Sequence, residues 1–146
     1  GDVDLKGDKT SKEEVDKKKE SHKSLLVFIQ KQLEEEVKEV RFSNRLTDSA
    51  SCLVADEFGM NKHMEQMFKA MGQDMPKQKR ILELNPSHPI VDGLQNIFTK
   101  DPADPELKEY ASLLFDQALI AEGSQPKEPL SFVKRISELM VKATKA

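Results

Sequence analysis

The sequence predicts an α+β fold: a small three-stranded sheet with flanking helices, followed by a C-terminal pair of helices. Three observations lead to this prediction. Apolar residues recur at helical spacing after Ser24, short apolar or alternating runs follow between residues 40 and 84, and two wide apolar stripes come last. A length of 146 residues suffices for one cored domain but is short for two, and no repeat or low-complexity tract interrupts residues 25–146. We therefore expect one domain over residues 25–146.

Residues 1–24 form a charged lead-in to this domain. Lysine, glutamate and aspartate surround only three apolar residues, Val3, Leu5 and Val15. That is too little apolar surface to offset the entropy of ordering the chain. We expect the lead-in to be mobile or to form a solvated helix.

The first predicted helix begins at Ser24, with glutamate and lysine on the face opposite its apolar stripe. That stripe consists of Leu25, Leu26, Phe28, Ile29, Leu33 and Val37. Three short strands are predicted next, because apolar and polar residues alternate or form a short bounded apolar run. These strands contain Val40 and Phe42, then Cys52 and Val54, and then the run from Arg80 to Leu84.

A helix from Asn61 to Met71 is predicted between the second and third strands. Asn61 is a residue type that caps helix N-termini, and Gly72 is one that ends helices. Three further helices are predicted to start near prolines, whose missing N–H is harmless in a first turn. The starts are Asn85-Pro86, Asp104-Pro105 and Glu128-Pro129, and Gly123 ends the middle helix.

The last two helices, Pro105 to Glu122 and Pro129 to Lys142, carry wide apolar stripes. The first stripe contains Leu107, Tyr110, Ala111, Leu114, Ala118, Leu119 and Ala121, and the second contains Phe132, Val133, Ile136, Leu139, Met140 and Ala143. Two such helix pairs from two chains would close a four-helix bundle. Packing on the sheet of the same chain is the alternative, but the position at the end of a small domain favours dimerisation.

Composition argues against several classes of function. The formal net charge of -3 gives no basic field for nucleic acid or an anionic membrane, so we expect neither as a partner. The single cysteine, Cys52, cannot form an intramolecular disulfide, and no membrane-length apolar stretch is present. A reducing, cytoplasmic location fits best.

Few residues are candidates for catalysis. His22, His63 and His88 are isolated from one another, no metal-ligand spacing includes Cys52, and no glycine-rich phosphate loop occurs. We therefore expect no metal, cofactor or catalytic residue in this chain. Cys52 in an apolar strand is more typical of a small buried hydrophobe than of a nucleophile. Asp56 and Glu57, adjacent carboxylates, are more typical of turn charges than of an acid/base pair.

A cluster of methionines is the most informative local feature. Met60, Met64, Met67, Phe68 and Met71 follow one helical face. From periodicity alone, packing in the core is favoured over a binding surface, because methionine fills irregular gaps. The binding alternative has support from the shortness of the helix and from the ability of thioethers to adapt to many sequences.

Long ordered motifs resemble the C-terminal domain of the ninety-kilodalton heat-shock chaperone family. They are Arg41 to Ser49 continuing through Cys52 to Asp56, Met64-Glu65 with Ala70 to Gln73, Ile81 to Pro89, and Leu113 to Gly123. The resemblance covers residues 25–143, and Gly1 to Leu5 is similar to the family's exit from its middle domain. Ala50 departs from the pattern, since many relatives have proline there. The end at Lys145-Ala146, without an acidic docking tail, resembles the bacterial members.

The resemblance implies a homodimeric, ATP-dependent chaperone that assists protein folding under stress. ATP and Mg would be bound by an N-terminal domain that this chain lacks. The family's dimer contacts correspond to Leu113, Leu114, Ala118, Leu119, Phe132, Ile136, Leu139 and Met140. Its client-contact helix, thought to touch unfolded or partly folded proteins, corresponds to Met60, Met64, Met67, Phe68 and Met71, with Phe68 or Met71 expected to anchor the helix.

Two other functions stay open from the sequence. One is a non-enzymatic adaptor or scaffold whose C-terminal helices bind a different protein. The weaker alternative is an enzyme that uses Cys52 or Asp56.

Overall fold

A computed structural model describes residues 13–44, 48–56, 62–74 and 78–145. Within these ranges the chain forms six helices and one three-stranded sheet. The helices are α1 (described over residues 13–21), α2 (Lys23–Gln32), α3 (Lys62–Ala70), α4 (Pro89–Lys100), α5 (Pro105–Ala121) and α6 (Pro129–Lys145). The strands are β1 (Val37–Phe42), β2 (Ser51–Val54) and β3 (Arg80–Leu84). The predicted α+β fold with three strands is confirmed.

The sheet has β3 at its centre, in the order β1-β3-β2. β1 runs parallel to β3, and β2 runs antiparallel to it. The register between β1 and β3 shifts between Val37 and Glu39, which marks a bulge near the start of β1. β3 therefore receives hydrogen bonds along both edges, and its residues 81–84 are all buried.

One hydrophobic core joins the sheet to α2, α4 and α5. Its least exposed side chains are Leu25, Ile29, Val37, Leu82, Leu84, Val91, Leu94, Leu107, Ala111, Leu114 and Ala118. Burying a leucine or isoleucine side chain stabilises the folded state by about 1.5–3 kcal/mol relative to leaving it exposed to water. α6 supplies no residue to this core, because none of its side chains is buried.

The first helix predicted from the sequence corresponds to α2, and it is shorter than its apolar stripe predicts. α2 ends at Gln32, and Val37 is the first residue of β1, where it pairs with Arg80 and is fully buried. The prediction that Val37 extends the helical stripe is therefore wrong. A strand residue can satisfy the same apolar spacing, because the turn over residues 33–36 brings Val37 back to the same core.

The start of α4 also differs from the sequence prediction. The helix begins at Pro89, and the Nδ1 atom of His88 caps it by accepting a hydrogen bond from the Ile90 N–H at 3.1 Å. Asn85 is instead part of the preceding turn, because its Oδ1 accepts from the Ser87 N–H at 3.0 Å and its Nδ2 donates to the Ser49 carbonyl. A start at Asn85-Pro86 is one turn too early.

The other predicted helix boundaries in the described residues lie within one residue of the observed ones, except that α6 ends at Lys145, three residues beyond the predicted Lys142. α5 and α6 begin at Pro105 and Pro129, and the Asp104 carboxylate accepts from the Glu106 N–H at 2.9 Å. Gly72 and Gly123 have φ of 70° and 92°, conformations that glycine adopts without a steric penalty. Asn61, the predicted cap of α3, lies outside the described residues, as do residues 1–12 of the lead-in.

Candidate interaction surfaces

α6 has two apolar sides, and only one of them is half-buried among the residues that the structure describes. The outer α6 face consists of Leu130, Val133, Met140 and Val141, which are 87%, 57%, 62% and 50% exposed. Spacings of three, seven and eleven residues from Leu130 or Val133 place all four on one side of the helix. Ile120 on α5 is a further exposed apolar side chain. The described part of the chain leaves these apolar side chains largely uncovered.

The inner side of α6 lies against α5. Phe132, Ile136 and Leu139 are half-buried there. Two ion pairs flank them: Arg135 Nε donates to Glu109 Oε2 at 2.5 Å, and Lys142 Nζ donates to a Glu106 carboxylate oxygen. The hydrogen bond that Lys142 donates to Glu106 is the main cause that raises the pKa of Lys142. α6 is thus attached mainly by half-buried contacts and exposed charges.

The residues predicted for a dimer interface fall into two groups in this chain. Leu113, Leu114, Ala118 and Leu119 on α5 are buried within the chain itself. On α6, Phe132, Ile136 and Leu139 are half-buried and Met140 is exposed. Their role in a dimer stays a prediction. The outer α6 face adds three residues that were not predicted for the interface: Leu130, Val133 and Val141.

α3 presents three methionines on one side. This Met face consists of Met64, Met67 and Met71, which are 42%, 51% and 63% exposed. Phe68 is half-buried beside it, so of the two residues predicted to anchor the helix, Phe68 is the more covered. Met60, the remaining member of the predicted set, lies outside the described residues.

The local sequence closes α3 immediately after the Met face. Gly72 donates to the Lys69 carbonyl at 3.1 Å and Gln73 donates to the Phe68 carbonyl at 3.0 Å, the two hydrogen bonds of a Schellman motif. No side chain that the structure describes in α3 is buried. The helix is thus held at its end by backbone geometry, while its apolar side remains accessible.

The candidates for catalysis are not brought together. Cys52 is partly buried, with its Sγ 4.0 Å from a Glu83 carboxylate oxygen on the neighbouring strand. Asp56 accepts from Lys38 Nζ at 2.7 Å, and Glu57 lies outside the described residues. Over residues 13–44, 48–56, 62–74 and 78–145, no three His, Cys, Asp or Glu side chains form a group that could hold a metal ion.

The histidines have separate environments. The His22 ring packs edge-on against Phe42, with ring centroids 5.9 Å apart, and its Nε2 lies 3.4 Å from Asp92 Oδ1. His63 is exposed on α3, and His88 caps α4. The three histidines thus lie in three different parts of the described structure.

Two acidic groups near the C-terminal helices have shifted pKa values. Burial is the largest cause that raises the pKa of Asp116, followed by the opposing effect of Arg135. The hydrogen bond from Arg80, whose Nη1 is 2.5 Å from Glu122 Oε1, lowers the pKa of Glu122.

None of the described helices is long and apolar enough to cross a membrane.

An α+β domain with two exposed apolar helix faces has the features of a protein-interaction domain, because contiguous exposed apolar surface marks contact sites. Comparison with known proteins specifies the family. The family model described as "Hsp90 protein" matches residues 1–146, and the chain belongs to this family. The family predicted from the sequence motifs is confirmed.

Several bacterial relatives support this membership. The chain is 50% identical over 149 residues to the chaperone protein HtpG of Geobacter metallireducens and to that of Geobacter sulfurreducens. These alignments cover 100% of this chain and 23% of each relative. The HtpG of Mycobacterium tuberculosis (strain ATCC 25177 / H37Ra) is 41% identical over 145 residues, covering 97% of this chain and 22% of the relative. The chain therefore spans about a quarter of the length of these curated relatives.

Proposed function

We propose that this chain is the C-terminal homodimerisation and client-contact domain of an HtpG-type chaperone. The observation that carries the proposal is the outer α6 face, an apolar row that stays uncovered on a helix with no buried residue. Family membership supports a chaperone role, and the relatives carry the printed name chaperone protein. In this proposal the whole protein assists folding in the cytoplasm.

The dimer contact is assigned to the outer α6 face together with Ile120. Two copies related by a twofold axis would place α5 and α6 of each chain in a four-helix bundle. Leu130, 87% exposed in the single chain, would gain most from this burial. The inner residues Phe132, Ile136 and Leu139 would then pack α6 against α5 of the same chain, on the side of α6 opposite the dimer contact.

Sedimentation velocity at several concentrations tests the dimer. Val133→Glu is expected to place a charge in the interface and to shift the protein to a monomer at micromolar concentration, because an unpaired buried charge costs several kcal/mol. Val27→Glu is the matched control, since Val27 is 46% exposed on α2 and the substitution is the same. Leu114→Glu is unsuitable, because Leu114 is 2% exposed and the variant would unfold.

The outcomes separate two classes of function. A dimer that dissociates in Val133→Glu but not in Val27→Glu supports the proposal. A parent protein that stays monomeric at all concentrations and needs a foreign partner supports the adaptor function instead. If Val133→Glu sediments as the parent dimer does, the interface lies elsewhere.

The client contact is assigned to the Met face of α3. Methionine side chains are flexible and polarizable, which suits a surface that accepts many different sequences. ATP and Mg are assigned to parts of the full-length protein outside this chain, and no catalytic residue is assigned within it.

A further inference from the structure

Three of the four exposed methionines in the described residues lie on α3. The sulfur-bearing side chains of the Met face lie three and seven residues apart, and each is between 42% and 63% exposed. The other exposed large apolar residues are leucine, isoleucine and valine, except for Met140. Met140 lies on the outer α6 face, which the proposed dimer would cover. α3 is therefore the place where an oxidant in solution would change apolar surface first.

The chemistry of the thioether makes this surface a modification site. A peroxide transfers one oxygen atom to the methionine sulfur: the O–O bond breaks, an S=O bond forms, the sulfur loses two electrons, and hydrogen peroxide leaves as water. Susceptibility follows exposure, and the sulfoxide is returned to the thioether by sulfoxide reductases with thiols as electron donors. The product is polar and chiral where the reactant is apolar and flexible.

We propose that Met64, Met67 and Met71 form a reversible oxidation site, and that peroxide switches off polypeptide binding on α3 by converting the Met face to sulfoxides. The switch rests on the proposed client contact, whereas the site rests on the exposure and spacing of the three thioethers. Thiol-dependent reduction restores the apolar face.

The surroundings of the Met face separate such a switch from oxidative damage. No described side chain of α3 is buried, and the helix end is fixed by the two backbone hydrogen bonds around Gly72. Three polar oxygens on the exposed side thus leave the core of leucines and valines unchanged. We expect oxidation to abolish binding while the domain stays folded.

The experiment uses the full-length protein with Cys52→Ser, so that this thiol does not react. The probe is a fluorescent, unfolded polypeptide rich in leucine and phenylalanine and free of methionine and cysteine. Its affinity is measured by anisotropy before hydrogen peroxide treatment, after treatment, and after incubation with sulfoxide reductases and a thiol. Peptide mass spectrometry locates the added oxygens. The matched control is Met64→Leu/Met67→Leu/Met71→Leu, which keeps similar volume and cannot be oxidised at these positions.

We expect oxygen on all three methionines, a loss of affinity of about tenfold or more, as expected for lost burial of methionine side chains, and recovery after reduction. The affinity of the leucine variant before peroxide can differ from that of the parent, but peroxide should not change it, because the variant has no thioether on α3 to oxidise. A leucine variant that loses affinity on oxidation as the parent does would place the effect on methionines elsewhere and overturn the proposal. Unchanged affinity after complete oxidation overturns the switch alone. Absence of probe binding to the untreated protein overturns the proposed client contact, and the switch with it. A protein whose circular dichroism is lost on oxidation is damaged rather than switched, which also overturns the proposal.

Discussion

Asp116 on α5 is a carboxylate in an unfavourable position. It is 8% exposed, and burial raises its pKa despite the attraction of Arg135. Because the pKa is raised in the folded state, the fold loses stability as the pH rises from the unfolded value through the folded value, and the full cost remains at neutral pH. Asp116→Asn removes the charge, so we expect it to stabilise the protein at pH 7 by about 1 kcal/mol or less.

Thermal melts of parent and Asp116→Asn at pH 7 and near pH 4 check this prediction. The difference in Tm should shrink at the lower pH, where the aspartate itself is protonated. Glu122→Gln is the control of opposite sign, because the Arg80 hydrogen bond lowers the pKa of Glu122 and contributes stability that is lost as the pH falls. An Asp116→Asn variant that melts earlier at pH 7 would mean that the attraction of Arg135 outweighs burial.

Burial of a charged residue in a strand is difficult to predict from sequence. Glu83 is a charged residue within the apolar run of β3, and it is only 5% exposed. It is paired with Arg41 on β1, whose Nε donates to Glu83 Oε2 at 2.9 Å. The sheet order that brings these residues together is a long-range property, so local spacing cannot indicate it.

At the scale of the element, substitutions on α3 distinguish a role in core packing from a role in client contact. The first role predicts a loss of stability, and the second predicts a loss of client affinity. For the Met face we expect Met64→Ser and Met67→Ser each to change the free energy of unfolding by about 1 kcal/mol or less, because both side chains are already largely exposed. Capture of an unfolded polypeptide by the intact chaperone should weaken. Melting temperature and client affinity are measured on the same preparations.

Leu94→Ser provides the comparison, since Leu94 is 2% exposed on α4 and its loss should cost about 2–5 kcal/mol. If Met64→Ser or Met67→Ser lowers the melting temperature as much as Leu94→Ser does and leaves affinity unchanged, the Met face supports the fold. In that case α3 has no part in client contact.

Element boundaries were predictable where the local chemistry acts alone. Asp104 and Pro105 start α5 and Gly123 ends it, because capping and φ preference involve only neighbouring residues. Val37 and His88 were not predictable in this way. Val37 belongs to β1 because it pairs with a residue of β3, which is distant in sequence. His88 rather than Asn85 caps α4 because Asn85 is bound to the Ser49 carbonyl from a distant part of the chain.

At the scale of the whole molecule, the core could be predicted from the sequence. Which side of α6 would face away from that core could not. Helical spacing marks apolar positions without indicating which neighbour covers them. Leu114 and Leu119 sit in the core of their own chain, whereas Leu130 and Val141 remain exposed. In the dimer proposed above, the second chain would cover the outer α6 face.

α6 has no buried residue, so we expect its packing on α5 to be weak in a single chain and to be strengthened by the proposed dimer. Its pairs Arg135–Glu109 and Lys142–Glu106 are solvent-exposed, and exposed ion pairs add little to the free energy of unfolding. Most of the stability of a helix in a protein comes from tertiary packing of its apolar face. We therefore expect the amides of α6 to exchange with deuterium faster when the protein is diluted below the dissociation constant of the proposed dimer, while α5 stays protected by its core residues.

The Val133→Glu variant should show fast exchange of the α6 amides at every concentration, and raised salt should accelerate this exchange further. Exchange in α6 that is slow at all concentrations, in parent and variant alike, would mean that α6 is stable on its own α5 and that dimerisation does not order it.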